Sequence, residues 1–449
     1  MQPIDDKSFK KCINLCKKKI NESFKIYSDI TNSNFSWETF ISFQNNLIET
    51  LYEEKKQEIP LRKTLKKIRN GSDTINTEKD VLRKIEQLET LEHSIKILGD
   101  FFCYIFYMND FDLIDKHIEK PQVGMHSIGS GIVAEMETIK RLNVPENPQF
   151  YLYNELSSFL RIGDVSVFDR LQSRIIGFGE IKSSIPQDGK LDISIDFIVK
   201  SQNLYVPTSL QHKENKGHDF LDEDMIKHLE KQVDTMKDSL VNKKQVDKNL
   251  QQEVKLPHYK DLELLINQCY RNGFAIKKVS NDIMYLSVKN DFNDLNIQNI
   301  DLNEKFKSNN IIEDFNLNPK DGYNNIIYSK LELLSYGKNT PFLFLPLSNN
   351  AKKKALNQSL FIIFNYNTII KHFSEQGFVF VKKKKIPYLE KKLENEIISL
   401  CLYAIHEQYV NMFLDEKSAI DILTMMLSES KVGKGNRQIF VNMKYINKK

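Results

Sequence analysis

Residues 161–184 constrain this chain more than any other stretch. "RIGDVSVFD" and "RIIGFGEIKSS" are two apolar runs of strand character, joined only by the polar link "RLQS". So short a link predicts an antiparallel hairpin. Side chains alternate across a strand, so Ile162, Asp164, Ser166 and Phe168 share one face of the first run. Ile176, Phe178, Glu180 and Lys182 share one face of the second. A turn centred near Gln172 sets Asp164 opposite Glu180, with Cβ atoms about 5 Å apart. Lys182 stands about 7 Å along the strand from Glu180. Apolar neighbours on both faces predict a buried strand. An acid and a base there cost folding energy unless something uses them. A surface ion pair on an edge strand is the plainer alternative.

Two carboxylates this close raise each other's pKa, and a divalent cation removes the conflict. Oxygen donors completed by water suit Mg²⁺, with Mn²⁺ as the alternative. Lys182 is no ligand while charged, but it can orient a water or offset charge developing on phosphorus. The set fits metal-assisted attack of water on a phosphodiester. Asp169, at the turn end and opposite about Ile175, lies about 16 Å from Glu180 and cannot share that metal.

A third acid is expected from the preceding helix, "GIVAEMETIKRL" (131–142). At 100° per residue, Ile132, Val133, Met136, Ile139 and Leu142 form its apolar arc. Glu135 falls inside that arc and Glu137 outside it. A carboxylate on a buried face needs a partner, so Glu135 is assigned to the metal site. In a later helix, Met225, Leu229, Val233, Met236 and Leu240 share a face, and Gln232 lies at its margin, within reach of the site.

Helix, three-stranded meander ("QFYLY", "RIGDVSVFD", "RIIGFGEIKSS"), helix and strand, with Asp164 and then Glu180-Ile181-Lys182 on the hairpin, resemble the PD-(D/E)XK nuclease superfamily. The resemblance covers about 121–290. It implies a restriction-endonuclease-like αβββαβ core in which Asp164 and Glu180 bind Mg²⁺, Glu135 completes the site and Lys182 assists the attacking water. Branches related to phage-defence nucleases carry a Gln on the second helix, which Gln232 matches. One departure is Gly163 where Pro commonly precedes the Asp.

The remaining chain predicts a mixed α+β protein. Residues 1–120 read as a helical region, with Val81, Ile85, Leu88, Leu91, Ile95 and Leu98 spaced as a packing seam. That seam serves bundle packing, or a partner protein or homo-oligomer. "FAIKKVS" and "IMYLSVK" predict a hairpin turning at Asn281-Asp282. Residues 291–449 read as a C-terminal α+β region for recognition or regulation. Its expected strands are "PFLFLPL" and "GFVFV", its expected helices lie near 352–371 and 388–413, and the lysine run at 381–387 reads as a solvated edge.

The net charge of +4 over 449 residues makes any DNA-binding surface a local one. Five cysteines, at 12, 16, 103, 269 and 401, lack the pairing of a disulfide framework or zinc ribbon, which points to reduced thiols. With no signal-peptide-like start and no apolar run long enough to span a bilayer, a cytoplasmic protein without membrane association is expected. The expected activity is a Mg²⁺-dependent DNA endonuclease, by analogy a bacterial antiphage defence effector. A site-specific restriction endonuclease is the first alternative, and a non-catalytic scaffold retaining the fold is the second.

Overall fold

A computed structural model describes residues 6–31, 36–71, 77–107, 111–118, 130–184, 192–199, 258–280, 282–289, 326–331, 342–383, 386–392, 397–402, 416–429 and 437–439. The chain divides into two compact units. The first comprises residues 1–246 with 333–344, and the second comprises 247–332 with 345–449.

The first unit opens with helices α1 (Asp6–Thr31), α2 (Trp37–Arg69), α3 (Glu78–Tyr107) and α4 (Phe111–Ile118). Ser36 begins α2 with a capping box: its hydroxyl accepts from Thr39 N, and the Thr39 hydroxyl accepts from Ser36 N. The seam from Val81 to Leu98 is buried along its whole length. Helix α5 (Ser130–Leu142) follows, then strands β1 (Gln149–Tyr153), β2 (Val165–Asp169), β3 (Arg174–Ser184) and β4 (Asp192–Val199). They form one sheet in the order β1-β2-β3-β4, antiparallel throughout.

An aromatic core joins the helices to this sheet. Phe106 of α3 stacks on Phe150 of β1, with ring centroids 5.0 Å apart, and meets Phe168 of β2 edge-on at the same distance. Trp37 at the start of α2 packs on Phe150 at 5.8 Å. Helices α2 and α3 and the meander therefore share one core. The free edge of β1 is capped by side-chain amides. Gln44 of α2 donates to Tyr151 O and accepts from Tyr153 N, both at 3.0 Å. Asn143 donates to the same Tyr151 O at 2.7 Å and accepts from Tyr151 N at 2.8 Å. A buried strand edge needs such partners, and Gln and Asn each supply a donor and an acceptor.

The second unit contains α6 (Tyr259–Asn272), β5 (Phe274–Lys278), β6 (Ile283–Lys289), β7 (Ile326–Leu331), α7 (Asn349–Ala355), β8 (Gln358–Asn365), α8 (Asn367–Ser374), β9 (Val379–Lys383), β10 (Ile386–Lys392), β11 (Ile397–Cys401), α9 (Glu416–Glu429) and β12 (Arg437–Ile439). One sheet has the order β5-β6-β8-β7 and the other β12-β11-β10-β9. The β5–β6 hairpin, grouped by sequence with residues 121–290, lies in the second unit and pairs through β6 with β8.

Three expectations for this unit need correction. The helix expected near 352–371 is α7, then strand β8, then α8, because "SLFIIF" completes a sheet rather than a helix face. The helix expected from 388 begins instead as strands β10 and β11. The strand expected at "PFLFLPL" is instead a single 3₁₀ turn at Phe342–Phe344, which belongs to the first unit, while Leu345–Leu347 belong to the second. "GFVFV" leads into edge strand β9, which carries the start of the lysine run. Among the described residues, no helix is long and apolar enough to cross a membrane.

Candidate active site

The hairpin of β2 and β3 pairs Val165 with Gly179, so Asp164 and Glu180 are the next residues beyond that pair. A register shift between Val167 and Phe168 places Phe168 opposite Ile175 and Asp169 opposite Arg174, one residue from the expected pairing at the turn end. Asp169 closes the turn there, its Oδ1 accepting from Leu171 N and Gln172 N at 2.9 Å.

The backbone leaves the ladder at Asp164. Gly163 has φ of +67°, a conformation proline cannot adopt. The departure from the Pro-Asp pattern is thus built into the local geometry. Asp164 N still donates to Gly179 O at 2.9 Å, while its carboxylate Oδ2 accepts from Ile181 N at 2.7 Å. One carboxylate oxygen therefore takes the place of a strand carbonyl, which fixes Asp164 beside Glu180. Gly179 leaves room for the neighbouring strands' side chains. A Cβ added there would lie 2.7 Å from the Phe197 ring and from Val165 Cγ2.

Strand β3 is interior, with β2 on one side and β4 on the other, so the edge-strand reading of Glu180 and Lys182 is corrected. Glu180 is half-buried, and the residues from Ile175 to Gly179 before it and Ile181 after it are buried. Lys182 holds the position opposite Ser194; its side chain lies outside the described residues. The register of β3 with β4 adds an acid the sequence reading missed, Asp196, directly opposite Glu180. Glu180 and Asp196 thus share one row of β3 and β4, with Asp164 just ahead of β2. The alternation in "DISIDFIV" was the available signal for β4.

Helix α5 brings Glu135 to the same end of the sheet. Glu135 is half-buried and Glu137 exposed, the orientation projected from the apolar arc. Tyr153, the last residue of β1, donates its hydroxyl to Glu135 Oε2 at 2.5 Å. Burial, and then the neighbouring charge of Asp164, push the Glu135 carboxyl up to about 7 against the pull of the Tyr153 hydrogen bond; Glu155 adds to the rise. The Tyr153 phenol is itself pushed well up by burial and by Glu135. Gln232 lies outside the described residues.

A buried hydrogen-bond chain supports the loop that presents Asp164. His117 Nδ1 accepts from Arg161 N at 2.9 Å and Ile162 N at 3.0 Å. An acceptor at Nδ1 leaves the proton on Nε2, which donates to the Tyr107 hydroxyl at 3.0 Å. Tyr107 then donates to Ser166 Oγ at 2.6 Å, and Ser166 to Asn154 Oδ1 at 2.7 Å. Asn154 Nδ2 donates to the carbonyls of Ile162 and Gly163, and its backbone N–H to Asp164 O at 2.9 Å. Burial, reinforced by Arg161, holds His117 down to about 3, so it is the neutral acceptor this chain needs. No sequence motif marks these residues. They come from α4, α3, β2 and the turn after β1.

The donor set of Asp164, Glu180 and Glu135 is all carboxylate oxygen, which suits a hard cation such as Mg²⁺ that keeps several waters. Among the described residues, the three acids whose oxygens all lie within 4.8 Å of one another are Glu54, Glu58 and Glu92. That trio already holds a cation of its own. Lys55 Nζ sits 2.7 Å from Glu92 and 3.3 Å from Glu54, and pairs closely with Glu58.

No protein-family model, curated protein or solved structure matches the chain.

Proposed function

We propose that the chain is a Mg²⁺-dependent DNA endonuclease with a PD-(D/E)XK-type site. The observation that carries this reading is that Tyr153, opposite Val165 at the end of β1, holds Glu135 of α5 at the end of the sheet from which Asp164 leads into β2. A divalent cation held there would polarise the phosphodiester and lower the pKa of an attacking water. Asp164 and Glu180 would hold it, with Glu135 as the third carboxylate. Ile181 N orients Asp164, and Tyr153 orients Glu135. Lys182, two positions beyond Glu180, would steady the attacking water and offset charge on the phosphoryl oxygens. Gln232 would add a hydrogen bond to the site. A role in bacterial antiphage defence, in the cytoplasm, rests on the sequence resemblance alone.

The test is cleavage of plasmid, linear and single-stranded DNA with Mg²⁺, beside Lys182→Ala. Degradation to heterogeneous products supports an effector nuclease. Discrete fragments move the reading to a site-specific restriction endonuclease. No cutting of any substrate by the wild-type chain overturns catalysis and leaves a scaffold.

A further inference from the structure

Tyr270 lies in the last turn of α6, in the second unit, and is 45% exposed. Two ammonium groups from different elements lie over its ring. Lys289 Nζ, at the end of β6, is 5.4 Å from the centroid, and Lys354 Nζ, on α7, is 5.2 Å away. Lys354 is held in place by Asn267 Oδ1 at 2.6 Å. Arg271 and Lys353 are exposed on the same two helices.

The surrounding segments are strongly basic. Tyr259–Lys289 together with α7 contains eight lysines and arginines against three carboxylates. Those carboxylates are engaged elsewhere. Asp282 is buried and accepts from Thr368 N at 2.8 Å. Asp261 pairs with Lys277 at 3.4 Å, and Glu263 accepts from the Ser348 hydroxyl ahead of α7.

Two ammonium groups at one ring add to the positive charge of this face, and the ring's negative face offsets only part of it. A polyanion would offset the rest. A half-exposed aromatic flanked by cations also offers a stacking surface to a flat, unpaired base. A duplex keeps its base faces covered, and an acidic peptide has no flat base to stack on the tyrosine.

We propose that this face of the second unit binds single-stranded nucleic acid, Tyr270 stacking on a base while Lys289, Lys354 and Arg271 meet phosphates. Stacking is tolerant of sequence, so the surface grips strands without reading them. This inference stands apart from the nuclease reading, because none of its residues belongs to the candidate active site.

Fluorescence anisotropy of the full-length chain in EDTA, with a dT oligonucleotide, a duplex of equal length and inorganic polyphosphate, separates binding from cleavage. The dT strand should bind tightest. Tyr270→Ala should weaken it about 5- to 150-fold, and Tyr270→Phe should restore it. Replacing both Lys289 and Lys354 with Ala should reduce the slope of log affinity against log salt by about 1.4. Unchanged dT binding by Tyr270→Ala, or equal binding of dT and polyphosphate or of dT and duplex, overturns the proposal.

Discussion

Tyr153 donates its hydroxyl to Glu135 Oε2 at 2.5 Å, tying the last residue of β1 to the inward face of α5. Asp164 raises the same carboxyl through its charge. Glu135 is therefore tied to the sheet by contact and disfavoured as an anion by the charge of Asp164, while Glu137 faces solvent.

This arrangement predicts a difference between two neighbouring variants. Glu135→Gln should cut cleavage at least about 100-fold, and Glu137→Gln should leave it within about 2-fold. The pH dependence follows from the raised carboxyl. Glu135 titrates near 7 when folded, against 4.5 for an ordinary glutamate. Its contribution to stability is complete below about pH 4.5 and is lost as pH rises through 7. In metal-free urea titrations at pH 5 and pH 8, Glu135→Gln should remove at most about 3 kcal/mol of that slope. A wild-type slope in Glu135→Gln would show the carboxyl to be unperturbed.

Lys182→Ala should reduce cleavage about 100-fold or more while leaving the thermal unfolding midpoint and DNA affinity near wild type. Single-turnover kinetics at saturating Mg²⁺ are the measurement. Wild-type rates would remove Lys182 from the mechanism.

EDTA should silence cleavage, and Mg²⁺ or Mn²⁺ should restore it. Asp164→Ala and Glu180→Ala should each weaken Mg²⁺ binding by calorimetry. Each should also stabilise the metal-free fold slightly by relieving carboxylate repulsion. Cleavage that survives exhaustive chelation would exclude the metal mechanism.

His117→Ala leaves the amides of Arg161 and Ile162 without their acceptor and should cost about 2–4 kcal/mol at pH 7. Because His117 is held near 3 rather than 6.5, its contribution is present above pH 6.5 and is lost as pH falls towards 3. The stability gap between wild type and variant should therefore narrow on acidification. A gap that stays constant from pH 7 to pH 4 would contradict a neutral buried imidazole.

Lys55→Met should destabilise the first unit by about 3–5 kcal/mol, since it removes the shared cation from Glu54, Glu58 and Glu92 and leaves Glu58 with Arg62 alone. Burial pushes Glu54 up to about 9, and the Lys55 ammonium 3.3 Å away offsets only part of that. Glu54→Leu should therefore be neutral or stabilising by the same denaturation assay. The reverse ranking would identify Glu54 as the carboxylate that needs the lysine.

Local pattern determined much of the first unit. The 3- and 4-residue seam of α3, the inward turn of Glu135 and the antiparallel β2–β3 hairpin follow from helix and strand periods and from the length of the "RLQS" link, whereas a bulge between Val167 and Phe168 sets the register at Gly179. Those are short-range constraints, carried by residues close together in the chain. Other features were decided only by the tertiary structure. "SLFIIF" is apolar on both faces and suits a buried helix or a strand, and its pairing with β6 and β7 chose the strand. Gln44 and His117 lie in helices that give no sign of their partners. Their roles arise because β1 is an edge strand and the loop before β2 directs two backbone amides towards α4. Such partners are set by long-range packing, where a buried polar group must find its complement wherever the fold has left one.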